Sequence, residues 1–174
     1  NAVRKHLSTV KGGRAARRAA PATVLALLVS DVIGDDPAVV ASGPFVPDDS
    51  TFDDALAVLD RYEVVVPARV EEFLERGAAG EVEETPTGTF DRVHTHFLVT
   101  NRTALDAAAA EASERGYDPL VLSGSMRGEA REVALAHVAV CEEALAADRP
   151  VAPPAVVLSG GELTVTVRGD GTGG

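Results

Sequence analysis

Thr23-Val24-Leu25-Ala26-Leu27-Leu28-Val29-Ser30-Asp31 is an apolar run of strand length that stops on a hydroxyl and a carboxylate. So short an apolar run, bounded by polar residues, reads as a buried strand. Upstream, Lys11 to Ala20 is rich in Ala and Arg and halts at Pro21, as a short helix would. Downstream, Ser30 to Ser50 is a Gly, Pro and Asp loop. Thr51 then reads as an N-cap, with Asp53 and Asp54 in the first turn to meet the helix dipole. Phe52, Ala55, Leu56 and Leu59 give that helix its apolar face, and Pro67 opens a second helix through Val70, Phe73 and Leu74 to Gly77.

Residues 77–91 carry Gly, Glu, Thr and Pro86 without periodicity and read as a linker. A second series follows. His94 to Thr100 reads as a strand, and Arg102 to Arg115 as a helix ended by Gly116. Leu120 to Leu122 is a short strand. Arg127 to Ala147 is a long helix with Ala130, Val133, Ala134, His137, Val140, Cys141, Ala144 and Leu145 inward. Ala155 to Leu158 and the alternating Leu163 to Val167 complete the strands. Strands alternating with helices imply an α/β fold, a largely parallel, Rossmann-like sheet flanked by helices.

The chain has 174 residues, 45% apolar and 25% charged, which excludes a disordered tail, a collagen-like rod and a disulfide miniprotein. With 27 acidic against 16 basic side chains the net charge is -11, which argues against nonspecific nucleic-acid binding. No apolar run is long enough to span a membrane. Cys141 stands alone, so neither an intrachain disulfide nor a Cys-based zinc site forms; on a helix it reads as a small buried filler. Together with an N-terminus that carries no hydrophobic signal region, this points to the cytoplasm.

Only Lys5 and Lys11 are lysines, against 14 Arg. An acidic, nearly Lys-free surface suits a protein working at high salt, with a GC-rich genome as the plain alternative. The basic residues are uneven. Arg4, Lys5, Lys11, Arg14, Arg17 and Arg18 fall before any acid, leaving the remainder 10 basic against 27 acidic side chains. Such a cluster reads either as a site for an anionic ligand or as an ion-pair seam between domains.

Several strands end in small polar residues: Ser30-Asp31, Thr100-Asn101, Ser123-Gly124 and Ser159-Gly160-Gly161-Glu162. In open α/β sheets the ligand crevice lies at these carboxyl ends. Asp31 is the sharpest position, suited to hold Mg²⁺ or accept a hydroxyl proton; an Asx-turn or helix cap is the structural alternative for Asp31 and Asp35. Gly169 to Gly174 matches G-x-G-x-x-G after a strand but lacks the helix and acid of a dinucleotide fingerprint. There is no P-loop, protein-kinase signature or nucleophile elbow. His94 and His96 share a strand face without a third metal ligand, His137 reads as core-edge, and His6 sits in the basic cluster.

One ordered set of motifs runs through the chain: Arg4-Lys5-His6-Leu7-Ser8, Lys11-Gly12-Gly13, Ser30-Asp31-Val32 with Gly34-Asp35, Ala41-Ser42-Gly43-Pro44 and Asp48. It continues with Glu84-Thr85-Pro86, Asn101, Gly128-Glu129-Ala130-Arg131-Glu132, Ser159-Gly160-Gly161-Glu162 and Thr164-Val165-Thr166-Val167-Arg168-Gly169. This order resembles the glycerate 2-kinase family with a MOFRL domain, often named hydroxypyruvate reductase. The resemblance implies transfer of the ATP γ-phosphoryl group to the 2-hydroxyl of glycerate, with Mg²⁺, in a cleft between two α/β domains. It implies that residues 1–92 are the remainder of the N-terminal domain with its linker, and 93–174 the start of the MOFRL-type domain.

Arg168 matches the family's proposed catalytic arginine, whose guanidinium would stabilise charge on the transferred oxygens. Gly169 and Gly171 would bring backbone N–H groups to the phosphates. Lys11, Gly12, Gly13, Ser42, Gly43, Gly160, Gly161 and Glu162 lie in motifs expected to line the nucleotide site, and Asp31 is expected to be catalytic and metal-holding. Leu163 stands where the family often has Thr, and Thr87 where Lys is common. The family's Gly-Lys-Ala segment, with its catalytic lysine, is expected before Asn1, and an Asn-Gln-Glu after Gly174. The chain therefore reads as the central part of an enzyme, inactive alone, with homo-oligomerisation left open. The competing readings are an NAD(P)H-dependent hydroxypyruvate reductase and a noncatalytic ligand-binding fragment.

Overall fold

The computed structural model describes residues 1–171. Its elements run α1 (Ala2–His6), α2 (Arg14–Ala19), β1 (Val24–Val29), a 3-10 turn (Val40–Ser42), α3 (Phe52–Arg61), α4 (Ala68–Ala78), β2 (Val93–Val99), α5 (Asn101–Glu114), β3 (Asp118–Met126), α6 (Ala130–Ala147) and β4 (Ala155–Gly161). The chain forms two compact units: Asn1–Leu28 with Asp36–Leu98, and Val29–Asp35 with the residues from Val99 onward.

The first unit closes around Phe52, Ala55 and Leu74, all fully buried. α3 starts where its cap dictates. Asp54 N–H donates to Thr51 Oγ1 at 3.2 Å, and Thr51 N–H donates back to Asp54 Oδ2 at 2.8 Å, a reciprocal capping box. Phe52 meets the His6 ring edge-on at 4.6 Å and Phe73 at 5.9 Å. α4 approaches it through Gly77, where a methyl group would collide with the Phe52 ring.

The stretch expected to be a linker lies inside this unit. Arg17 pairs with Glu83 at 2.6 Å, Phe52 N–H donates to Glu84 Oε1 at 3.0 Å, and Asp48 N–H donates to the Pro86 carbonyl at 3.0 Å. Thr85 is buried. The segment lacks periodicity because its residues are pegged one at a time by polar bonds.

In the second unit β3 and β4 pair in parallel, from Asp118 opposite Ala155 to Met126 opposite Gly161, with two register irregularities. α5 packs against both, burying Leu105 and Ala112. β1 and β2 form the other sheet; Val24 N–H donates to the Arg92 carbonyl at 2.8 Å and Ser30 N–H to the Val99 carbonyl at 2.9 Å, so these strands also run parallel. The fold is mixed α/β, with two short parallel sheets flanked by helices.

The structure corrects several expectations. β1 is buried on one face only: Ala26 is buried while Leu25, Leu27 and Val29 are exposed, because a two-stranded sheet here has one covered side. β3 is longer than Leu120–Leu122, since the ladder with β4 carries it through Ser123, Gly124 and Ser125. Leu163 to Val167 is not a strand; it makes a single bridge, Thr164 with Glu129. On α6 the shielded positions are Ala130, Val133, His137, Val140, Ala144 and Ala147, whereas Ala134, Cys141 and Leu145 are exposed. Alanine fixes no phase on a helix, so the inward face was drawn too wide. No helix among the described residues is long and apolar enough to cross a membrane.

Candidate functional site

The second unit gathers strand ends. Ser30, Asp31, Val99, Thr100, Asn101, Ala104 and Gly161 surround a hollow of about 190 Å³. A neighbouring hollow of about 180 Å³ is lined by Val32 to Asp35, Asn101, Arg102, Gly124 and Ser125. Asn101 belongs to both and is pinned by its Nδ2, which donates to the Gly124 carbonyl at 2.9 Å. Thr100 caps α5 and holds that corner in place: its Oγ1 accepts from Thr103 N–H at 3.3 Å.

Gly160 and Gly161 are required here by proximity. A methyl group on Gly160 would collide with Asn101 Oδ1, and one on Gly161 with the Met126 backbone. Glu162 is exposed, and its N–H donates to the Met126 carbonyl at 3.1 Å. These residues therefore shape the corner between β3, β4 and α5.

Ser30 is buried, its Oγ accepting Val32 N–H at 3.2 Å. Asp31 is exposed at the rim, and its carboxylate accepts no hydrogen bond among the described residues. Asp35 has φ 50°, an unfavourable backbone for a residue with a side chain, and its Oδ1 is buried without a partner. The Asx-turn expected at Asp31 or Asp35 falls instead on Asp36, whose Oδ1 accepts Ala38 N–H at 2.8 Å.

Arg168 is exposed and follows a clasped segment: the Glu129 carboxylate accepts Thr166 N–H at 3.0 Å and Thr166 Oγ1–H at 3.1 Å. Gly169 and Gly171 stand in open space, and the rest of the Gly169 to Gly174 stretch, residues 172–174, lies outside the described residues.

In the first unit Lys11, Gly12, Gly13, Ser42 and Gly43 come together in a different manner. Gly12 N–H donates to the Ser42 carbonyl at 3.0 Å and Gly13 N–H to the Gly43 carbonyl at 2.8 Å. Lys11 Nζ donates to the Ala41 carbonyl at 2.9 Å, and Ser42 Oγ donates to Asn1 Oδ1 at 3.1 Å. The amides of Gly12 and Gly13 are thus committed to carbonyls rather than offered to a phosphate. Gly13 has φ 77°, and a methyl there would come within 2.8 Å of the Val46 carbonyl oxygen.

The basic cluster is largely paired within the same unit. Lys5 and Asp48 form a buried ion pair at 2.8 Å. Burial pushes the Asp48 carboxyl up, but donors from Lys5 and Ser50 outweigh it and hold the group below the usual carboxylate range. Arg14 donates to the Lys5 carbonyl at 2.7 Å, and its partial burial lowers its pKa. His6 is buried; its Nδ1–H donates to the Ala2 carbonyl at 2.8 Å, and its Nε2 lies within hydrogen-bond distance of Glu84 Oε2, at 3.0 Å. His94 and His96 are exposed, and no group of three His, Cys, Asp or Glu suited to a metal occurs among the described residues.

Sequence reasoning missed Arg102 and Ser125. Arg102 directly follows the strand-end pair Thr100-Asn101, so its position is a usable signal; Ser125 lies beyond the strand that Leu120 to Leu122 announces. Its membership of the hollow follows from the long β3, which no pattern announced.

Residues 1–75 match the model of a family described as a domain of unknown function, DUF4147. The chain is 39% identical to a glycerate 2-kinase of Pyrococcus horikoshii over 98% of its own length and 39% of that protein's. It is 40% identical to a D-glycerate 2-kinase of Thermotoga maritima, over all of the chain and 40% of the relative. A protein of Agrobacterium vitis named "Putative hydroxypyruvate reductase" is 43% identical over 99% of the chain and 44% of its own length. The crystal structure of a Thermotoga maritima glycerate kinase matches with a TM-score of 0.77 and 40% identity, over 99% of this chain and 40% of that one. The chain thus spans roughly two fifths of the length of these relatives. Along nearly its whole length, the chain belongs to the family that contains these glycerate 2-kinases.

Proposed function

We propose that the protein to which this chain belongs is a glycerate 2-kinase, transferring the γ-phosphoryl group of ATP to the 2-hydroxyl of glycerate. The observation that carries this reading is the identity of about 40% to two glycerate 2-kinases over nearly the whole chain. The strand-end hollows of the second unit lie where open α/β sheets hold their ligands, which supports the reading. In the transfer the bond from Pγ to ADP breaks and one to the 2-oxygen forms, while the hydroxyl proton leaves to a base. Asp31 at the hollow's rim is our candidate for that base, and Arg168 for the cation that spreads charge on the moving phosphoryl oxygens.

Mg²⁺ takes one or two carboxylates and leaves its other positions to water and phosphate, a demand that the exposed, uncommitted Asp31 meets. When bound it would neutralise phosphate charge. Lys11 is the first-unit residue best suited to the nucleotide, since its single backbone bond is exposed and exchangeable. The two compact units agree with a two-domain enzyme. They divide at residues 98 and 99, with residues 29–35 joining the second unit. We read the single cysteine as that of a cytoplasmic protein, and the net charge of -11 as salt adaptation. For the latter, the melting temperature should rise with added KCl, and a flat or falling series rejects it.

The test is a coupled assay on the full-length protein with ATP, Mg²⁺ and D-glycerate. The expected product is 2-phosphoglycerate. Formation of 3-phosphoglycerate instead, or NADH consumption with hydroxypyruvate and no phosphoryl transfer, would overturn the reading in favour of another activity.

A further inference from the structure

The first unit buries a titratable ring that phosphoryl transfer does not use. The His6 side chain is wholly shielded from solvent, and both of its ring nitrogens face oxygen. Nδ1 lies 2.8 Å from the Ala2 carbonyl and Nε2 lies 3.0 Å from Glu84 Oε2. A carbonyl oxygen only accepts, so Nδ1 carries hydrogen. A neutral ring then aims the lone pair of Nε2 at a carboxylate, which when ionised has only lone pairs of its own. One further proton, on the ring or on the carboxyl, turns that repulsion into a hydrogen bond. Glu84 is held in place to make it, because its Oε1 accepts Phe52 N–H at 3.0 Å.

We infer that His6 and Glu84 together retain one proton in the folded first unit at pH values where the unfolded chain has lost it, and that this proton locks α1 to Glu84 and to the start of α3. The surrounding charges do not titrate in that range. Lys5 is paired with Asp48 at 2.8 Å, and that carboxyl, held below its usual range, stays ionised. Arg17 is paired with Glu83 at 2.6 Å. Arg14 donates to the Lys5, Ser8 and Glu83 carbonyls, and Arg18 lines the same hollow as His6. Guanidinium groups keep their charge throughout. α3 meets the ring with uncharged Phe52, and α4 lines the hollow with uncharged Phe73. The proton leaves to water through Glu84, whose side chain is 43% exposed.

The sign follows from the proton count. An unfolded histidine loses its proton near pH 6.5. Below that value both states hold the proton and the stabilisation is fully present. Above it folding must take the proton up, and the stabilisation is lost as pH rises, by up to about tenfold in the opening constant per pH unit.

Glu84→Gln separates the proton from the contact. Its amide oxygen can still accept Phe52 N–H, and its amide nitrogen can donate to Nε2 of a neutral ring, so the lock closes without an extra proton. Hydrogen exchange read by mass spectrometry on the full-length protein compares peptides covering α1 and α3 between pH 6 and 9. Wild-type protection should fall relative to the variant by about three- to tenfold per pH unit above pH 7, and the ratio should level off towards pH 6. A ratio that stays constant or rises across this range overturns the proton lock. If Glu84→Gln does not fold, ring ¹⁵N NMR of the wild type at pH 7.5 decides, with His6 identified by its contact with the Phe52 ring. A protonated Nδ1 with a proton between Nε2 and Oε2 upholds the lock. An unprotonated Nδ1, or no proton between Nε2 and Oε2, overturns it.

Discussion

Two glycine-bearing polar corners look alike in sequence and are opposites in structure. Around Lys11 to Gly13, the two glycine amides that sequence would offer to a phosphate are already engaged by the Ser42 and Gly43 carbonyls. Around Ser30 to Asp35, the Asp31 carboxylate is exposed without a hydrogen-bond donor among the described residues, and Asp35 Oδ1 is buried without one. The first corner is a knot that fixes the chain; the second is a set of open valences. Satisfied polar groups stabilise, whereas unsatisfied ones are where binding can be more favourable than in water.

That contrast breaks if substitutions in the two regions have the same kind of effect. The largest expected change is in activity. In the full-length enzyme Arg168→Ala should lower kcat by roughly a thousandfold without moving the melting temperature, the scale of losing one charge stabiliser at a phosphoryl-transfer site. Retained turnover would remove Arg168 from the chemistry.

Next comes the buried pair in the first unit. Asp48→Ala strands Lys5 and should cost about 3–5 kcal/mol in urea unfolding, while the double replacement Lys5→Met with Asp48→Leu should recover most of it. The Asp48 carboxyl is held below its ordinary value, so its contribution is fully present above the unfolded pKa near 4 and fades as pH falls through the folded one. The gap in stability between wild type and variant should therefore shrink below about pH 4. A gap that widens in acid would contradict the assignment.

Smaller again, Gly13→Ala should cost about 2–3 kcal/mol from backbone strain and crowding, with Gly169→Ala within about 0.5 kcal/mol because nothing crowds it. Equal effects at the two glycines would show that position, not packing, governs them. The smallest is Thr51→Ala, at about 1 kcal/mol or less, for loss of the α3 cap.

What the sequence reveals depends on how local the determinant is. α3 was legible to the residue because Thr51 and Asp54 cap it reciprocally and Phe52, Ala55, Leu56 and Leu59 recur at helical spacing. α6 was legible as a helix and in phase, but its inward face is narrower than the alanine-rich pattern suggests. The Thr and Val alternation of Leu163 to Val167 promised a strand, yet a strand needs a partner, and the Glu129 carboxylate holds that segment instead. At the candidate site, the strand-end rule found Ser30, Asp31, Asn101, Gly160 and Gly161. It could not tell Asp35 from Asp31, since no pattern of residues says which oxygen will be buried without a donor.

The buried imidazole of His6 has a consequence for the order in which the chain can fold. Its Nε2 partner Glu84 lies 78 residues further on, and α1 itself has only five residues. A helix so short does not persist alone. As the polypeptide leaves the ribosome, α1 has nothing lasting to settle on until Asp48 and α3 have emerged, by which time Val29–Asp35, destined for the other unit, is already made. The first unit must then close last-to-first around a segment it does not keep, a long-range step that sets a slow pace for its assembly.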